Sequence, residues 1–254
     1  MARLVFLACA LLACAVAAAA GDTYPARTWA ASEHATATAW PADGLKAIDS
    51  LAASMQTDGL LIVHRGKTVL AYGDIAKPRN VYSVRKSILS VLIGMGVDKG
   101  TVDLDPSLAA LGFDDVGGLS LQERSATVRQ LLQSRSGVYH EAAYETRSAK
   151  AQRPARGSHA PGTFWYYNNW DFNALGAIFE QRTGKSVFEA LRDDLAKPLQ
   201  FEDFHLARDT EFVAEPVSRY PAYVMKLSAR DLARIGLLMA RNGRWGDQQL
   251  VSAR

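Results

Sequence analysis

Ser83 and Lys86 stand three residues apart where the sequence turns helical, a spacing that puts both side chains on one helix face. A serine hydroxyl attacks a carbonyl only when a nearby base takes its proton. A lysine partly buried against an apolar helix has its pKa lowered and can take that role, or tune another base. Ser83 at the helix start would also bring the attacked carbonyl near free backbone N–H groups and the positive end of the dipole. With 17 serines and 9 lysines in 254 residues, S-x-x-K is expected by chance about 0.6 times, so spacing alone does not separate a nucleophile from a helix cap. The surroundings favour chemistry: Arg85 is free to face solvent, whereas Lys86 precedes Ser87 and the apolar pair Ile88 and Leu89.

A second cluster follows Pro161-Gly162, where Phe164, Trp165, Tyr166, Tyr167 and Trp170 surround Asn168 and Asn169. Such a block can be core or a stiff interface. Two adjacent asparagines within it are harder to explain by packing, because buried amides need partners. A tyrosine close to Lys86 would lose its proton more readily, act as base for Ser83 and later protonate the leaving group, while an asparagine amide orients the substrate carbonyl.

Several elements would position these groups. Residues 43–55 read as a helix, residues 59–64 and 68–72 as a hairpin around Arg65-Gly66-Lys67, and residues 83–96 as a strongly apolar, central helix. Ser120 with Glu123 fits a capped turn, and residues 128–134, 171–183, 188–195 and 232–239 read as further helices, the last with Ser228 and Asp231 at capping spacing. Residues 136–162 read as a long irregular loop walling the site, and its bases Arg147, Lys150, Arg153 and Arg156 would admit a carboxylate-bearing substrate. One hairpin is marginal on its own, so either it packs alone on helices or its partner strands lie beyond Arg254.

Residues 1–20 read as a signal peptide: an early Arg3, an apolar run, and Ala18-Ala19-Ala20 before Gly21. A periplasmic or secreted chain of residues 21–254 would then lack cysteine, since Cys9 and Cys14 both fall in the leader, and would have neither disulfides nor a cysteine metal site. The formal charge of +3 is scattered, which argues against nucleic acid, and no later stretch is long and apolar enough to form a stable membrane span. Oligomeric state is not legible.

The motifs together resemble the serine β-lactamase and penicillin-binding-protein superfamily, and within it the class C-like branch of esterases, D-aminopeptidases and 6-aminohexanoate-dimer hydrolases. Tyr82-Ser83-Val84-Arg85-Lys86-Ser87 is similar to the nucleophile helix, and Pro161-Gly162-x-Phe164-x-Tyr166-x-Asn168 to the second motif. Ser134-Arg135-Ser136-Gly137-Val138-Tyr139-His140 is similar to the loop before it. The resemblance runs from about Gly59 onward. It implies an α/β (α+β) transpeptidase-like fold and a serine hydrolase acting on a small amide or ester without metal or cofactor. Ser83 would be acylated, Lys86 its partner, Tyr166 the base and acid, and Asn168 the substrate-positioning amide. Tyr167-x-Asn169 also satisfies Tyr-x-Asn, but the spacing from Pro161-Gly162 favours Tyr166. The family's third motif, Lys or His-x-Gly on a later strand, has no counterpart after Tyr166. The expectation is therefore a chain of residues 21–254 incomplete at its C-terminal end, mostly helical, with the remaining sheet strands missing. An inactive binding relic is the alternative to an active hydrolase.

Overall fold

The computed structural model describes residues 23–31 and 40–253. The expected leader, with both cysteines, lies outside the described residues. In chain order the elements are α1 (Ala42–Ser54), β1 (Gly59–His64), β2 (Lys67–Gly73), β3 (Arg79–Asn80), α2 (Val84–Asp98), α3 (Leu121–Arg124), α4 (Val128–Leu132) and α5 (Arg147–Gln152). Then come α6 (Asn169–Thr183), α7 (Val187–Ala190), a π-helical stretch Leu191–Ala196, α8 (Lys197–Leu199) and α9 (Leu206–Asp209). The chain closes with β4 (Thr210–Val213), β5 (Ala222–Leu227), α10 (Ala229–Ala240), β6 (Arg244–Trp245) and β7 (Gln248–Gln249).

The expectation of a mostly helical chain without its sheet strands is overturned. The fold is mixed α/β, and the described residues hold seven strands in three antiparallel sheets, ordered β1-β2, β3-β5-β4 and β6-β7. Periodicity could not reveal the additional strands. β3, β6 and β7 are two residues each, and β5 is the middle strand of its sheet, with Ala222, Tyr223, Val224 and Met225 all buried. A strand covered on both faces loses the alternation that marks a half-exposed one. Nor does the early hairpin stand alone, since α1 packs on β2 and α10 on β1. Its turn places Arg65 at φ 51° and Gly66 at φ 82°, the left-handed pair a tight hairpin requires. A Cβ on Gly66 would come within 1.7 Å of the Thr23 carbonyl, whose residue donates back to the Arg65 carbonyl.

Two helices make the centre. α2 buries Ile88, Leu89, Val91, Leu92, Ile93 and Met95 together with Arg85 and Lys86, and leaves one narrow stripe, Val84, Ser87, Ser90 and Val97, exposed. α6 buries Trp170, Phe172, Leu175, Ile178 and Phe179, and packs on α2. Helices buried over most of their circumference are held mainly by their surroundings.

Buried carboxylates tie the loops to this centre. Asp115 accepts from Trp170 Nε1 (2.6 Å), Ser218 Oγ (2.8 Å) and the Arg219 N–H (2.7 Å), fixing the start of α6 against the segment before β5. Glu123 completes the expected capping box with Ser120 and also receives Arg156 through both carboxylate oxygens (3.0 and 2.8 Å). The expected loop 136–162 therefore contains a helix, α5, and is pinned in place.

Candidate active site

Sheet and helix meet at a sharp corner. After β3, the Val81 N–H donates to Met225 O (3.0 Å), Tyr82 turns left-handed at φ 45°, and α2 begins at Val84 with Ser83 as its N-cap. A bulky side chain in that region of backbone space is strained by about 1–2 kcal/mol. The Tyr82 N–H donates to Asn80 Oδ1 (2.8 Å), which holds the corner. Val84, Arg85 and Lys86 N–H groups bond to the carbonyls of Val81, Tyr82 and Ser83, so the helix start is less open than expected. The Ser83 hydroxyl makes no capping bond, contrary to the reading of Ser83 as a simple cap.

Lys86 is 4% exposed and its ammonium group joins three residues. Nζ lies 3.4 Å from Ser83 Oγ, 3.0 Å from Tyr167 Oη and 2.7 Å from Asn169 Oδ1. Burial lowers the Lys86 pKa from its ordinary value, against the opposing pull of the Tyr167 hydroxyl, while the Arg85 charge adds to the lowering. Burial would raise the Tyr167 hydroxyl, but hydrogen bonds with Lys86 and Ser83 and the charges of Lys86 and Arg85 outweigh it, leaving its pKa lowered.

The expected Tyr166 and Asn168 are not at this cluster. Tyr166 faces away: its hydroxyl donates to Ala149 O (3.0 Å), its ring meets Tyr139 edge-on at 5.7 Å, and burial raises its pKa. Asn168 caps α6, its Oδ1 accepting from the Asp171 N–H (2.8 Å) and its Nδ2 donating to Tyr166 O (2.8 Å). The reason is local. Asn168 is extended (φ −146°, ψ 167°), neighbouring side chains of extended chain point to opposite sides, and the helix starts one residue later. Reading Asn168 as a helix N-cap, a role asparagine favours, would have left Tyr167 and Asn169 for the site. Asn169 Nδ2 in turn donates to Tyr144 O (2.6 Å), so its amide is spent on holding Lys86 to the loop.

Two further residues escaped the sequence reading. Asp171 is fully buried, accepts from Ser136 Oγ (2.5 Å), and has its pKa pushed up to about 7 by burial. Its charge acts on Lys86 in the raising direction. Arg85, expected to face solvent, is 2% exposed because it lies off the exposed Val84, Ser87 and Ser90 stripe, on the side of α2 that meets β5. Its guanidinium lies 4.6 Å from the Tyr223 ring centroid and 6.0 Å from that of Tyr144.

Ser83 opens onto two recesses. An apolar cleft of about 670 Å³ runs along α2 between Val84, Ile88, Phe172, Leu232, Ile235 and Met239. A smaller recess of about 140 Å³ is lined by Tyr82, Arg85, Tyr144, Thr146, Ala149 and the Tyr167–Asn169 segment. Of the expected basic cluster, Arg153 is paired with Glu141 and Glu145, and Arg156 with Glu123.

Residues 45–254 match the Beta-lactamase family model, and the chain belongs to that family. Solved structures share the fold at low identity. A candidate 6-aminohexanoate-dimer hydrolase from Bacillus anthracis superposes with a TM-score of 0.62 at 20% identity, over 80% of this chain and 59% of its own. A candidate beta-lactamase from Bacteroides dorei gives 0.61 at 21%, over 82% and 67%. The octameric penicillin-binding protein homologue from Pyrococcus abyssi gives 0.59 at 18%, over 84% and 58%. The chain thus spans somewhat under two thirds of the first of these structures. Among the described residues no helix is long and apolar enough to cross a membrane.

Proposed function

We propose that the protein is an exported serine hydrolase that cleaves an amide or ester through an acyl-enzyme on Ser83, with residues 1–20 as its signal peptide. The observation that carries this reading is the convergence of Ser83, Lys86 and Tyr167 within hydrogen-bond reach of one ammonium group. Tyr167, as a phenolate paired with the Lys86 ammonium, takes the Ser83 proton as Oγ attacks the carbonyl carbon. As the tetrahedral adduct collapses, the departing amine or alkoxide takes that proton from Tyr167. Water then attacks the ester carbonyl, giving its proton to Tyr167, and Ser83 leaves with a proton returned to it. Asn169 acts as the residue that positions Lys86.

The test is labelling of the folded protein with a fluorophosphonate and with 4-nitrophenyl acetate, read as a mass shift on the Ser83 peptide and as released nitrophenol. A shift on Ser83 with repeated release supports the hydrolase. Acyl retention without turnover supports instead the binding relic, and absence of any Ser83 adduct sinks both.

A further inference from the structure

The small recess beside Ser83 holds a charge without a counter-charge. Arg85 lines it and is 2% exposed; its guanidinium interacts with the buried Tyr223 hydroxyl, while Nε and Nη1 are buried with no hydrogen-bond partner. Among the described residues that line it, none is acidic and Arg85 alone is charged. A buried guanidinium lacking a carboxylate is costly, and the Tyr223 and Tyr144 rings offset only part of that cost. Asparagine does not supply the polar recognition here, because the amides of both Asn168 and Asn169 are engaged within the protein. A recess of about 140 Å³ has the volume of about five waters, room for a carboxylate with one or two carbons.

We propose that Arg85 recognises a carboxylate on the substrate, so that the site selects esters or amides whose acyl group carries one within about three bonds of the scissile carbonyl. The guanidinium has N–H donors left over for such a group, and the aromatic walls exclude the water that would compete for them. This inference rests on Ser83 as the reacting residue only for its orientation; the anion site itself does not require turnover.

The experiment uses the Ser83→Ala protein and two stable ligands of equal shape, succinanilic acid and its primary amide, titrated calorimetrically. The acid is expected to bind about tenfold tighter or more, and the preference to shrink to about twofold with Arg85→Gln added. Should Arg85→Gln fail to fold, Arg85→Lys keeps the charge but loses the guanidinium donors, and the preference is expected to fall several-fold. Equal binding of the two ligands overturns the proposal, as does a preference untouched by either Arg85 substitution. An Arg85-dependent preference in a protein that forms no Ser83 adduct leaves the anion site standing and removes the hydrolase reading. A Ser83 adduct without that preference does the reverse.

Discussion

Lys86 is pulled in two directions, since burial drives its proton off while the Tyr167 hydroxyl and the Asp171 carboxylate hold it on. Tyr167, pulled below its ordinary value, shares that proton with it, so the pair titrates as a unit. Rate through this pair needs the proton gone. kcat/KM is therefore expected to rise with pH and level off below pH 10, the ordinary tyrosine value. Replacing Asp171 by Asn removes a negative neighbour of Lys86, and the acid limb of the profile should move to lower pH. Tyr167→Phe is expected to lower kcat about 10²–10⁴-fold, whereas Tyr166→Phe, whose lost bond goes to Ala149, should cost less than about tenfold. The reverse ranking in steady-state assays would return the base to Tyr166.

At the scale of elements, two adjacent asparagines divide the work at the start of α6. Asn168→Ala removes a cap and is expected to cost about 1 kcal/mol in urea denaturation with little loss of rate; Asn169→Ala frees Lys86 and should cost rate far more than stability. Within α2, Leu89 is fully buried, and Leu89→Ala is expected to destabilise by about 2–5 kcal/mol. The hairpin, α1, α2 and the capped starts of α3 and α10 were legible because each carries a local signal, a period or a capping pair. Ser83 and Lys86 were legible as a pair for the same reason. That the Tyr167 hydroxyl rather than that of Tyr166 meets Lys86, and that Arg85 is buried, were not legible: the first follows from where α6 begins, the second from β5 packing on that side of α2. β5 was hidden by its own burial, and Asp171 because nothing in sequence tells a solvated aspartate from one sealed beside Ser136.

For the whole molecule, Asp171 links folding to pH. Its pKa rises from 3.8 unfolded to about 7 folded, so the native state binds the extra proton between those values, and stability falls as pH rises from about 4 to about 7. Urea denaturation should find the protein less stable at pH 8 than at pH 5. Asp171→Asn should flatten the profile and be the more stable form at pH 8, by up to about 4 kcal/mol; a wild-type profile that is flat or rising over that range would show that Asp171 is ionised in the fold. The corner at Tyr82 has a consequence of another kind. Tyr82 is 66% exposed and contributes little packing, yet its backbone sits where glycine would rest easily. Tyr82→Gly should therefore hold or raise the melting temperature while letting Ser83 wander from Lys86. Lineages selected only for endurance to heat would drift toward glycine there and slow down, whereas lineages selected for turnover would keep a residue the backbone resists. Durability and speed pull against each other at this single turn of chain.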